Sequence, residues 1–187
     1  MNRWTSTFEA QLVLASQAGD AGAFATLVDR WHGRLLRHAT RLIGDAHAAA
    51  DVAQETWIAA IASLSRLDDV DAFGAWLFRI LTCKCRDWIR HKQRKRGLWN
   101  RLLLRTEAME SPGPLTMLAS TENHSVHQAI ASLPREQAEL VTLYYLEEFS
   151  ILEIAEILNV PAGTVKSRLH YARLTLRELL KESNDVE

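Results

Sequence analysis

The 187-residue chain has only two cysteines, four prolines and eight glycines. Cys83 and Cys85 stand two positions apart, a spacing too strained for a mutual disulfide. No further ligands at metal-binding spacing stand beside them. A disulfide framework and a structural metal site are therefore excluded, and two unpaired thiols are expected. No apolar run approaches the roughly 20 residues that cross a bilayer. The first residues, Met1 to Ser6, lack the basic-then-apolar build of a secretory signal, so a cytoplasmic protein without membrane insertion is expected. Nucleophile elbows, phosphate loops and metal-ligand motifs are also missing. The histidines (His32, His38, His47, His91, His124, His127 and His170) are scattered. His124 and His127 stand at a helical step, but no third ligand accompanies them, and they read as surface residues. Neither an enzyme nor a cofactor is expected.

What remains is helical nearly throughout. Period-two alternation is absent, and Gly and Pro fall at boundaries. The expected class is all-α: two small helical domains, 1–96 and 122–187, joined by a flexible linker over 97–121. Ser111, Pro112, Gly113 and Pro114 in that linker cannot continue a helix, although Leu98, Trp99 and Leu102 to Leu104 suit a short one.

The net charge of -1 conceals an asymmetry. Residues 79–105 hold ten Lys and Arg against Asp87 alone, giving +9 and leaving -10 for the rest of the chain. A basic block in a near-neutral protein points to a localised polyanion site. Its first part lies on a helix expected over 72–95. There Phe73, Leu77, Leu81, Cys85 and Trp88 form a core line, and Arg79, Cys83, Arg86, Arg90 and Arg94 form a separate ladder that can track a phosphate backbone. Phe73, Trp76 and Phe78 offer stacking surfaces for unpaired bases, though each also suits a core.

Two further helices precede it, at 8–18 and 21–43, with Asp20 as a cap and Phe24, Leu27, Val28, Trp31, Leu35 and Leu42 as core. A helix over 45–64 has two stripes. Ala53, Trp57, Ala60, Ile61 and Leu64 suit a core; Asp51, Gln54, Glu55, Ile58 and Ala62 mix acid, amide and apolar groups as a docking face would.

In the C-terminal part, a helix from about Glu122 ends before Leu133, and Pro134 opens a second that runs to about Glu147. Ser150 and Glu153 then form a capping box opening a short helix. Asn159 and Val160 make a turn, and Pro161 starts a longer helix. This is a helix-turn-helix pattern. Val165, Leu169, Ala172, Leu176 and Leu179 form the buried side of the last helix. Gly163, Ser167 and His170 lie opposite, flanked by Thr164, Lys166 and Tyr171. A small centre lets the helix sit in a major groove, and polar flanks reach base edges. Arg168, Arg173 and Arg177 suit phosphates on either side.

The strings Asp51-Val-Ala-Gln-Glu-Thr-Trp57, Phe73-Gly-Ala-Trp-Leu-Phe-Arg-Ile80, Ser132-Leu-Pro134, Ser150 through Ile157 and Val160 through His170 occur in this order across nearly the whole chain. In these the chain resembles the sigma factors of bacterial RNA polymerase, of the extracytoplasmic-function (ECF) type in the sigma-70 family. The resemblance implies a subunit that binds core RNA polymerase and directs promoter recognition, melting and transcription initiation. It implies that Asp51, Gln54, Glu55 and the adjoining Ile58 dock on the clamp coiled coil of the largest polymerase subunit. The turn 65–71, with Arg66 and Asp69, would hold a flipped minus-ten base. Trp76, Arg79, Cys83, Arg86, Arg90 and Arg94 would meet the melted strand. Thr164, Lys166, Ser167, Arg168, His170, Tyr171 and Arg173 would engage the duplex minus-thirty-five element. The linker would thread toward the polymerase active-site channel, and an anti-sigma factor is an implied partner. Cys83, Tyr171 and the acids Asp68, Asp69 and Asp71 depart from the family pattern, which bears on promoter sequence rather than role. The rival is a free-standing helix-turn-helix regulator, which leaves the Asp51/Gln54/Glu55 stripe and the second basic helix unexplained.

Overall fold

A computed structural model describes residues 3–102, 129–130 and 132–184. The chain forms two compact units, Met1–Glu110 and Ser111–Glu187. The histidines at 124 and 127, the greater part of the expected linker and most of the helix expected from Glu122 lie outside the described residues.

The first unit contains α1 (Arg3–Gln17), α2 (Ala21–Ile43), α3 (Ala46–Ser63) and α4 (Phe73–Leu102). Local chemistry sets several ends. The Asp20 carboxylate accepts from the backbone N–H groups of Gly22 and Ala23, at 2.8 and 3.0 Å, and starts α2. Gly44, at a φ of +73°, closes it, its N–H donating to the Thr40 carbonyl. Asp45 caps α3 in the same way as Asp20. Between α3 and α4 the chain makes two tight turns, Leu64–Arg66 and Val70–Ala72. The Gln17 amide donates to the carbonyls of Leu64 and Leu67, tying this connection to α1.

Leu27, Trp31 and Leu35 of α2 meet Ala53, Trp57 and Ala60 of α3 and Phe73, Leu77, Leu81 and Cys85 of α4 in the core, while Phe24, Val28 and Leu42 are half-buried at its margin. Three expectations are corrected. Ile61 is 60% exposed, because Ala60, fully buried, takes the inward slot. Successive residues on a helix diverge by about 100°, so only one of the two can fill it. Phe73 and Phe78 are not stacking surfaces: both are fully buried, edge-on to the Trp31 ring at 6.0 and 6.1 Å. The helix expected to stop near Lys95 continues to Leu102, since an isolated Gly97 costs only about 1 kcal/mol in a helix.

Trp31 is pinned on all sides. Its indole N–H donates to Glu9 at 3.2 Å, and the Arg34 guanidinium lies 4.6 Å from its ring centroid. A methyl on Gly74 would stand 2.5 Å from the Trp31 ring. Gly74→Ala is therefore expected to destabilise the unit by about 1–3 kcal/mol, read as a shifted denaturant midpoint.

His38 is fully buried against Phe78, and among the described residues neither ring nitrogen has a hydrogen-bond partner. Burial, helped by Arg41 and Arg34, pushes its pKa down from 6.5 to about 3. Between those values the unfolded chain takes up a proton that the folded chain refuses. The stability contribution is complete above 6.5 and is lost as pH falls toward 3. Burial raises the Glu9 carboxyl, which acts in the opposite sense. Comparison with His38→Leu isolates the histidine: relative to that variant, the parent is expected to lose about 2 kcal/mol between pH 8 and pH 5. Chemical denaturation at the two pH values measures the difference.

In the second unit, Pro134 precedes α5 (Arg135–Val141), which widens into a π-turn over Thr142–Leu146. The short α6 (Ile151–Leu158) opens on the expected capping box: Glu153 accepts from the Ser150 N–H at 2.7 Å, and the Ser150 hydroxyl accepts from the Glu153 N–H at 3.2 Å. Asn159, at a φ of +54°, reverses the chain into α7 (Ala162–Asn184). Val165, Leu169 and Ala172 are buried, with Leu140, Leu143, Ile154 and Ile157 completing the core.

Candidate nucleic-acid interface and docking face

Asp51, Gln54, Glu55, Ile58 and Ala62 are all exposed on α3. Ile61 joins them, so two isoleucines, each about 60% exposed, stand beside two acids. The step of three from Ile58 was the signal, obscured because the same step also continues the core stripe. Glu55 reaches the neighbouring helix, accepting a hydrogen bond from Lys84 of α4 at 3.1 Å. In the sequence Lys84 belongs only to the basic block, and nothing local connects it with Glu55, 29 positions away.

On α4, Arg79, Cys83, Arg90 and Arg94 are exposed, and Arg86 is half-buried. Arg90 pairs with Asp87, one turn back. Trp88 is half-buried, with the Lys92 ammonium 4.7 Å above its ring. Trp76 is half-buried, its ring tilted against Phe73. Of Phe73, Trp76 and Phe78, only Trp76 retains an accessible edge. In the preceding connection Arg66 and Asp69 are exposed, and the Asp69 carboxylate accepts from the Asp71 N–H at 3.1 Å.

In the second unit, Lys166, Ser167, Arg168, His170, Tyr171 and Arg173 are exposed on α7, and Thr164 is half-buried. The Ser167 hydroxyl donates to the carbonyls of Gly163 and Thr164, so it lies flat on its own helix and keeps the centre of this face low. A methyl on Gly163 would meet nothing within 4 Å, so the protein's own packing does not demand glycine there. Arg168 pairs with Glu136 at 3.4 Å. Arg173 donates from Nε to the Tyr145 hydroxyl at 2.8 Å. An open pocket of about 340 Å³ beside this face is lined by Pro134, Arg135, Glu136, Gln137, Arg168 and Tyr171. Among the described residues no cluster of potential metal ligands occurs, and no helix is long and apolar enough to cross a membrane.

A basic helix beside an acid-and-apolar face in one unit, with a helix-turn-helix in the other, is the combination expected of a modular DNA-binding protein that also docks on a protein. Comparison with known proteins makes this specific. Residues 27–95 match sigma-70 region 2, and residues 123–176 match sigma-70 region 4. The chain is 33% identical over 172 residues to the ECF RNA polymerase sigma factor SigW of Bacillus subtilis (strain 168), covering 88% of this chain and 92% of that one. It is 31% identical over 191 residues to the RNA polymerase sigma-H factor of Pseudomonas aeruginosa, covering 96% and 99%. Among solved structures it resembles CnrH in complex with the cytosolic domain of CnrY, with a TM-score of 0.66 and 28% identity over 94% of this chain and 98% of that one. It also resembles the sigma factor RpoE in complex with the anti-sigma factor NepR from Bartonella quintana, with a TM-score of 0.61 and 26% identity over 84% and 96%. The chain belongs to the ECF sigma factors of RNA polymerase, within the sigma-70 family.

Proposed function

We propose that this chain docks core RNA polymerase through Asp51, Gln54, Glu55, Ile58 and Ile61 of α3 and directs it to promoters through two DNA surfaces. The ladder of α4, with Trp76, Arg66 and Asp69, engages the melted minus-ten strand. The outer face of α7, Thr164 to Arg173, engages the minus-thirty-five duplex. One observation carries the assignment of roles. An exposed acid, amide and isoleucine face on α3 adjoins a largely exposed arginine ladder on α4, the two helices packed together and joined by the Glu55–Lys84 pair. A free-standing regulator has no use for that pairing. Phosphate contacts from the ladder supply affinity, whereas side chains of α7 supply sequence preference.

The role is that of a cytoplasmic regulatory subunit with no catalytic group or cofactor of its own. Two solved relatives are in complex with a second chain, one of them an anti-sigma factor. We extend that to this protein: a protein antagonist covers these surfaces when transcription is not required.

The test is in vitro transcription by purified core polymerase on a fragmented genomic library, with and without the chain. New, protein-dependent start sites sharing upstream sequences are expected. No new starts, combined with tight binding of the isolated chain to specific duplex DNA, would favour the free-standing regulator instead.

A further inference from the structure

Among the arginines of the second unit, Arg173 is held differently from Arg168. Arg168 pairs with a carboxylate, Glu136. Among the described residues no carboxylate pairs with Arg173; its Nε donates instead to the neutral Tyr145 hydroxyl at 2.8 Å. The guanidinium also lies 5.5 Å from the Tyr144 ring centroid and 5.8 Å from that of Tyr145. The two rings meet edge to face at 4.9 Å.

This seat depends on the π-turn Thr142–Leu146. The Glu147 N–H donates to the Thr142 carbonyl at 3.0 Å, closing a turn wider than an α-helical one. Successive side chains diverge less there, so two neighbouring tyrosines can receive the same guanidinium. Tyr145 is 49% exposed, so its place is not explained by core packing.

Holding Nε on a neutral acceptor keeps the full positive charge of Arg173 and leaves its terminal N–H groups for another partner. A flexible arginine loses much side-chain freedom on meeting a phosphate, and fixing it beforehand removes part of that cost. We infer that Tyr145 is a positioning residue for promoter binding: its hydroxyl presets the Arg173 guanidinium at the flank of α7 to take a phosphate of the promoter duplex. This rests on α7 being the duplex-reading helix proposed above.

The test uses the full chain assembled with core polymerase and the strongest promoter fragment from the library transcription, with binding followed over a KCl series. Tyr145→Phe keeps the ring and removes the hydroxyl. It is expected to weaken binding about threefold to tenfold with an unchanged melting temperature. Arg173→Ala is expected to weaken binding at least as much and to lower the salt slope by about one. The double variant should match Arg173→Ala alone, because the hydroxyl acts only through the guanidinium. Parent-like binding by Tyr145→Phe, or losses that multiply in the double variant, would overturn the inference while leaving Arg173 as a phosphate contact. Parent-like binding and salt slope for Arg173→Ala would overturn both. Absence of any protein-dependent promoter complex would reject the duplex-reading role of α7 itself.

Discussion

Ile58→Glu is expected to fold like the parent chain and to bind core RNA polymerase about a hundredfold more weakly, about 2.7 kcal/mol. The fold should be indifferent because Ile58 is 61% exposed and glutamate is at least as good a helix former. The interface should not be. An exposed isoleucine between Gln54 and Ile61, with Asp51 and Glu55 alongside, suits an anchor that becomes desolvated when a basic and apolar partner covers it. A carboxylate there loses the apolar contact and must itself be stripped of water when the partner covers it. Titration of labelled chain with core polymerase, next to a melting curve, separates binding from folding. Ile61→Glu is the companion: a loss of affinity at parent-like stability places it on the docking face, whereas unfolding would return it to the core. Parent-like affinity for both variants would remove this face from the polymerase interface.

Ser167→Trp should cost at least a hundredfold in promoter binding by the assembled polymerase, with core binding intact. The Ser167 hydroxyl folds back onto the Gly163 and Thr164 carbonyls, so the middle of the α7 outer face is low. An indole there holds the helix away from the groove, and several base contacts worth about 1–3 kcal/mol each lengthen together. Gly163→Ala is the control for bulk, since its methyl would meet nothing within 4 Å among the described residues. It should leave stability unchanged or raise it by about 0.5–1 kcal/mol, because alanine is the better helix former. Footprinting on the library-derived promoter decides the case. Retention of the minus-thirty-five footprint by Ser167→Trp would mean that another face of α7 meets DNA.

Much of the fold was legible because its signals are local. Asp20 caps α2, and Ser150 and Glu153 cap α6, within three residues of the groups they satisfy. Most of the buried sides of α4 and α7 follow from spacing along one helix, although Trp88, Leu176 and Leu179 on the expected lines are only half-buried. The exposed stripe from Asp51 to Ile58 was also legible, because helical geometry puts those positions on one face whatever surrounds it. Spacing does not say which helix covers a face. Hence Ile61 and Ala60 both suited one inward slot, and packing chose alanine. For Phe73 and Phe78 core is the reading the sequence favours over base stacking, and Trp31 of α2, edge-on to both, decides for core.

By itself, then, the sequence determined the all-helical class, the capped ends, the basic ladder and the helix-turn-helix, each of which is built from steps between residues close together along the chain. The family motifs likewise lie in short strings. Only tertiary structure decided that His38 is sealed without a hydrogen-bond partner among the described residues, that Glu55 meets Lys84 across 29 residues, and that Arg173 rests on Tyr145 across 28. The physical reason is one of range: helix periodicity and capping act along the chain, whereas desolvation, ion pairing and ring contacts depend on which distant surfaces the folded chain brings together.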